Sequence, residues 1–186
     1  DDCLTPHRRA KPVVCGFGPL GATKVVLVGD SHALMWSAPV KRIAANKGWR
    51  FLTMVKSACP PLLGLYTKRQ VELDRGATCQ QWRKNVIKRL TAYPPDLIII
   101  THSDRYTLST RKGAIRPRSE RKRLWRQALE RTLKALPRSS EVLVLGDVPH
   151  NRLNPQKCLV HNRKDMSRCV TRKPSTKQRG IELGLR

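Results

Sequence analysis

Gly29-Asp30-Ser31-His32 sets a hydroxyl, a carboxyl and an imidazole within one turn of chain. A serine becomes a useful nucleophile when a base takes its proton and fixed donors hold the oxyanion of the tetrahedral intermediate. Gly29 allows a tight turn straight out of the apolar run Lys24 to Val28, and a helical pattern starts at Ala33. Ser31 is therefore expected near a helix N-terminus, where backbone N–H groups and the dipole favour negative charge. The turn is not a Gly-x-Ser-x-Gly elbow, because Ala33 occupies the last position. Taken alone, it is equally well explained by Asp30 or Ser31 capping the helix.

Further polar groups follow other apolar runs: Lys56-Ser57-Ala58-Cys59, Thr101-His102-Ser103-Asp104 and Gly146-Asp147-Val148-Pro149-His150. His102 ends an apolar run, where it either lines a pocket or serves the structure. His32 follows Ser31 directly and is expected to point away and bond locally. His7 and His161 fall in loops without partners at metal spacing, and there is no Cys-x-x-Cys, so neither a metal nor a cofactor is expected. Trp36, Trp82 and Trp125 occupy helical positions and read as core.

These groups need a frame, and the runs that precede them supply it. Lys24 to Val28, Phe51 to Val55, Asp96 to Ile100 and Glu141 to Leu145 are short and apolar. The first, third and fourth are nearly continuous Val, Ile and Leu, the pattern of strands buried on both faces. Between them, Ala33 to Asn46 carries Leu34, Ala38, Ile43 and Ala44, and Gln80 to Ala92 carries Trp82, Val86, Ile87 and Leu90. Ser119 to Leu136 starts at an N-cap residue and carries Leu124, Ala128, Leu129, Thr132, Leu133 and Leu136. Strand alternating with helix predicts an open parallel sheet with helices on both sides, and chemistry at the carboxyl ends of its strands. One domain is expected over residues 1–186, with its core in 20–150 and a basic tail in 151–186 that holds no convincing fifth strand.

Composition bounds the function classes. Lys and Arg number 38 against 13 Asp and Glu, a net charge of +25, which attracts polyanions of any kind. The basic residues are dispersed, aromatics make up only 5%, and no zinc finger or RNP motif is present, so specific nucleic-acid binding is not expected. The Arg-rich stretch Arg111 to Arg131 reads as a solvated loop and helix face, or as a holder of an anionic glycan. No run approaches the roughly 18 apolar residues of a membrane span, and no basic-plus-apolar leader opens the sequence. Six cysteines, Cys3, Cys15, Cys59, Cys79, Cys158 and Cys169, allow 15 pairings, of which neighbour pairing is the simplest. An even, well-separated set points to an oxidising compartment.

The Gly29-Asp30-Ser31-His32 turn resembles the first sequence block of the SGNH (GDSL-like) hydrolases. More narrowly, the chain resembles the SGNH domains fused to membrane acyltransferase-3 proteins, which O-acylate surface polysaccharides. The residues that carry the likeness run in order: Cys15-Gly16-Phe17-Gly18, Gly29 to Ala33, Cys59-Pro60-Pro61 and Cys79-Gln80-Gln81-Trp82. Pro95-Asp96-Leu97-Ile98-Ile99, Asp147-Val148-Pro149-His150 and the Cys158 to Cys169 loop complete the set.

The resemblance implies a flavodoxin-like three-layer α/β/α sandwich, here without its last strand. It implies that Ser31 is the nucleophile, with its backbone N–H in the oxyanion hole. The family's third block supplies an Asn donor; here Ser103 stands as a substitute, with His102 beside it. The second-block Gly is not evident, and a backbone N–H between Ser57 and Cys59 is expected to replace it. The family's final Asp-x-x-His has no counterpart after Arg163, so the chain is expected to stop short of it, with Asp147 and His150 the alternative pair. The implied activity is acyl transfer to a cell-surface or cell-wall carbohydrate, or ester hydrolysis, through an acyl-Ser31 intermediate and without a cofactor. The implied partners are a membrane acyltransferase-3 domain as donor, a carbohydrate acceptor and anionic surface polymers, outside the cytoplasm. Two other classes stay open: an inactive module that binds anionic wall glycan, and a basic nucleic-acid binder.

Overall fold

The computed structural model describes residues 3–74, 76–147 and 154–170. The chain divides into two compact units, Asp1–Leu145 and Gly146–Arg186. The first contains a six-stranded sheet: β1 (Leu4–Thr5), β2 (Cys15–Phe17), β3 (Lys24–Gly29), β4 (Arg50–Lys56), β5 (Leu97–Thr101) and β6 (Glu141–Leu145). The order is β1-β4-β3-β5-β6, with every pair on this path parallel; β2 lies antiparallel to β4. Helices α1 (Ala33–Lys47), α2 (Lys68–Asp74), α3 (Ala77–Ala92) and α4 (Arg121–Ala135) connect the strands.

Alternation along each strand divides the apolar runs between two layers. Val25, Leu27, Phe51, Val55 and Ile99 pack with Ala33 and Ala44 of α1. Val26, Val28, Met54, Ile98 and Ile100 pack with Trp82 and Val86 of α3 and with Trp125 and Leu129 of α4. Both faces of β3 are thus covered, which is why it reads as unbroken Val and Leu. Burying one such side chain contributes about 1.5–3 kcal/mol.

Trp82 and Trp125 are core residues, as their helical positions imply, and Trp36 is half-buried against the α1 layer. Several expectations are corrected. The inward face of α1 is Ala33, Leu34, Trp36, Val40 and Ala44, while Ala38 and Ile43 are exposed. Ile43 and Ala44 lie about 100° apart on a helix, and here Ala44 meets the sheet while Ile43 turns to solvent. Ser119 does not cap α4; it lies in a 3-10 turn, Arg118–Glu120, and Glu120 precedes the helix without a side-chain cap. Among the described residues β6 is an edge strand, with Val142 36% and Leu143 43% exposed.

In the second unit, α5 (Pro155–His161) is capped by Asn154, whose Oδ1 accepts from Lys157 N–H at 3.0 Å. His161 therefore ends a helix and does not lie in a loop; its Nδ1 sits 2.7 Å from Lys157 O. No strand occurs among the described residues of this unit. Disulfides join Cys3 to Cys15, Cys59 to Cys79 and Cys158 to Cys169, each closing a local loop. Crosslinks over such spans stabilise by about 3 kcal/mol each in the chain-entropy account, and they belong to an oxidising compartment.

Candidate active site

β3 delivers the hydroxyl. A side chain at Gly29 would run into Thr101 O of the neighbouring strand and the Ala33 methyl, so only glycine fits where β3 turns into α1. Asp30 comes next and is fully buried. Its Oδ1 accepts from His32 N–H at 2.8 Å, and its Oδ2 accepts from Ser103 N–H at 2.9 Å and Tyr106 O–H at 2.8 Å. Asp30 O also accepts from Ala33 N–H at 3.0 Å. Asp30 therefore braces the turn ahead of α1, whose N-cap residue is His32 and which has no side-chain cap. Ser31 stands exposed at the strand's carboxyl end. Its backbone N–H makes no hydrogen bond among the described residues. His32 is half-buried at the start of α1 and gives α1 no side-chain cap.

β4 ends beside β3, with Gly29 opposite Val55 in parallel register. Lys56 is buried, and its Nζ donates to Pro6 O, His7 O and Arg9 O at 2.6, 2.7 and 3.0 Å. Burial lowers the ammonium to about 8, against the opposing pull of Asp74. Ser57 N–H is taken by Thr5 O and Cys59 N–H by Lys56 O, each at 3.3 Å. Of the stretch expected to replace the second-block Gly, this leaves Ala58. It adopts φ 50°, the left-handed region that glycine prefers, and its N–H has no partner among the described residues. The position has a glycine's conformation without a glycine, which is why the sequence hid it.

The surroundings impose that conformation. Gln70 Nε2 donates to Ala58 O at 3.1 Å, and the next residue is tied to α3 by the Cys59–Cys79 disulfide. Buried Arg83 donates to Pro60 O at 2.8 Å and Leu65 O at 2.6 Å. Burial pushes its guanidinium down to about 9, so it stays charged at neutral pH. Strained backbone persists only where neighbours over-determine it in this way.

β5 contributes the third edge. Ser103 is buried; its N–H is spent on Asp30, and its Oγ accepts from Arg105 N–H at 3.3 Å. Its hydroxyl, not its backbone, is therefore the group left to donate. His102 stacks on Trp125 with ring centroids 4.6 Å apart, and its Nδ1 lies 2.9 Å from Ser103 O. His7, expected in a loop, has a partner: its Nε2 lies 3.2 Å from Ser57 Oγ. Sequence reading missed this pair, since Ser57 and His7 are 50 residues apart and share no local pattern.

The structure thus brings Ser31, Asp30, Ala58, Ser103 and Tyr106 to the carboxyl ends of three adjacent strands. Asp147 belongs to the second unit, and His150 lies outside the described residues. Among the described residues no group of His, Cys, Asp and Glu is placed to hold a metal ion, and no helix is long and apolar enough to cross a membrane.

A family model for the SGNH domain (fused to AT3 domains) matches residues 2–182. Among solved structures, the chain is similar to the lipopolysaccharide acetyltransferase periplasmic domain of Salmonella ser. Paratyphi A, at 24% identity and a TM-score of 0.58. The match covers 79% of this chain and 54% of that one, so the chain spans about half the length of that neighbour. This likeness supports the parallel α/β fold. No curated protein matches the chain.

Proposed function

From the premise that the chain belongs to the SGNH domains fused to AT3 domains, we propose that it is an extracytoplasmic serine acyl-transfer domain with Ser31 as its nucleophile. One observation carries the reading: Ser31 is exposed on a turn whose preceding carboxylate, Asp30, is fully buried and held by three donors. Such an anchor fixes the turn while leaving the hydroxyl accessible, which suits a nucleophile better than a helix cap.

The chemistry follows in two balanced steps. Ser31 Oγ attacks the carbonyl carbon of an acyl donor and loses its proton to a base. The tetrahedral oxyanion is held by the N–H groups of Ser31 and Ala58, with the Ser103 hydroxyl as third donor. Collapse expels the donor's alkoxide, which takes up the proton, and leaves acyl-Ser31. A carbohydrate hydroxyl, or water, then attacks the acyl carbon and gives its proton to the base, which passes it to Ser31 Oγ as that oxygen departs. The acceptor sought is a cell-surface or cell-wall polysaccharide, and the donor side is an AT3 membrane domain, fused or separate. Within this sequence the base candidate is the imidazole of Asp147-Val148-Pro149-His150.

The test is intact mass after exposure to an activated aryl acetate. One acetyl adduct in the native chain, absent from Ser31→Ala and reduced in His150→Ala, supports the nucleophile and the base together. An adduct that persists in Ser31→Ala rejects Ser31. Absence of adduct in every protein leaves the binding-only module as the better account.

A further inference from the structure

The cleft beside Tyr106 has no role in the chemistry above. Its volume is about 320 Å³, and it is lined by Arg105, Tyr106, Leu108, Arg116, Arg118 and Arg121 among others. The local fold explains why arginines distant in sequence meet there. Ser109 bridges Ile115, and Arg116 N–H donates to Leu108 O at 2.9 Å, so residues 115–121 double back along residues 105–108. Gly113, at φ 97°, permits the turn between them.

The charge in the cleft is unbalanced. Glu120 lies 3.6 Å from Arg116 and 3.5 Å from Arg123. Arg105, Arg118 and Arg121 have no ion-pair partner among the described residues. Guanidinium groups around a concavity match oxyanions through paired N–H donors, a geometry that lysine lacks. Leu108 and Ile115 add an apolar lining that suits the C–H face of a sugar ring. Tyr106, the aromatic lining residue, has its hydroxyl committed to Asp30 Oδ2 at 2.8 Å, which joins the cleft to the turn that carries Ser31.

We propose that this arginine cleft is a subsite for the oxyanion groups, carboxylate or phosphate, of the glycan that Ser31 acylates. The proposal rests on the acyl-transfer reading for its choice of a glycan. A single aromatic, engaged elsewhere, is a poor platform for stacked bases, which disfavours nucleic acid as the occupant. The cleft grips a charged group of the acceptor, and so selects charged over neutral acceptors.

The experiment measures binding by the folded chain, without an acyl donor, at near-physiological salt. The probes are an oligogalacturonate hexamer (carboxylate), a short poly(glycerol phosphate) (phosphodiester), neutral maltohexaose and a single-stranded oligonucleotide. The Arg118→Gln/Arg121→Gln variant is compared with Lys84→Gln/Lys88→Gln, which removes the same charge from an exposed face of α3. Circular dichroism confirms that both are folded. We expect the arginine variant to weaken binding of one or both anionic glycans about tenfold or more. The lysine variant should change it by no more than about twofold, since distant surface charges are screened. The preferred arm identifies carboxylate or phosphate as the recognised group, and maltohexaose should not bind measurably.

Equal losses in the two variants overturn the proposal, because the net field and not the cleft would then be the binder. So does an arginine-dependent preference for the oligonucleotide. The assay contains no acyl donor, so it reads the cleft whether or not Ser31 turns over. The acetyl-adduct experiment reads Ser31 whether or not the cleft binds.

Discussion

Asp30 and Lys56 are the same problem solved twice on adjacent strands. Each is a charged residue buried at the carboxyl end of a parallel strand. Asp30 is satisfied by two N–H groups and one phenol, which belong to the turn itself and to the segment after β5. Lys56 is satisfied by three carbonyls of one loop near the N-terminus. The anion therefore organises the site, binding β3 to β5 around Ser31. The cation organises an edge, pinning residues 6–9 against β4. Similar burial and similar numbers of bonds hold the candidate site in one place and a sheet edge in the other.

The sharpest way to break that comparison is to delete the carboxylate. Asp30→Ala takes the acceptor from the donors of His32, Ser103 and Tyr106, of which the Ser103 N–H is buried and the other two partly so. Each unsatisfied buried donor costs about 1–3 kcal/mol, so the expected loss is roughly 3–5 kcal/mol after partial relaxation. Acetyl-adduct formation should disappear even where the chain is still folded, because the turn loses its anchor. Urea unfolding and adduct mass, read on the same sample, check both halves. Retained adduct formation at the native rate in a destabilised Asp30→Ala would make Asp30 a fold residue like Lys56.

Lys56→Met is the reciprocal variant, with a smaller expected effect. The methionine fills the volume but leaves three carbonyls without the ammonium, at a cost of about 2–4 kcal/mol. Adduct formation should persist in the folded fraction at room temperature. The deficit also depends on pH. The folded ammonium titrates near 8 instead of its usual 10.5, so the unfolded chain binds more protons between those values. Stability supplied by Lys56 therefore rises with pH across that window, and is least below about 8. Unfolding midpoints of the native and Lys56→Met chains should diverge from pH 8 upward. A deficit that shrinks over that range refutes this account of the buried cation.

The same contrast explains what was legible beforehand. The β3 turn is a local object: glycine, carboxylate, hydroxyl and helix start lie within five residues, from Gly29 to Ala33. Its pattern can be read without knowing the fold. Asp30's partners Ser103 and Tyr106 stand 73 and 76 residues away, and nothing in their spacing announces them. Strands β3 and β5 are visible because covered faces demand continuous apolar runs. β6 carries the same run at an edge, where its exposure comes from neighbours and not from its own residues. β1 and β2, at two and three residues, are too short to show a period. In α1 apolar residues occupy both sides of the helix, so only the packing against the sheet distinguishes Ala44, which is buried, from Ile43, which is exposed.

The smallest predicted effect concerns the residue that the two regions share, Ala58. It follows Lys56 on the fold's side of the comparison, yet its N–H belongs to the proposed oxyanion hole. At φ 50° an alanine is strained by about 1 kcal/mol relative to glycine, whose lack of Cβ removes the clash. Ala58→Gly should thus raise stability, with glycine's greater unfolded-state freedom reducing the gain to a few tenths of a kcal/mol. Adduct formation should stay within about twofold of native, since the N–H is retained and the loop around it is fixed by Gln70, Arg83 and the Cys59–Cys79 disulfide. A stable Ala58→Gly that loses adduct formation would instead mean that the methyl group itself shapes the acyl site. In that case alanine at position 58 is a selectivity feature and not a tolerated strain.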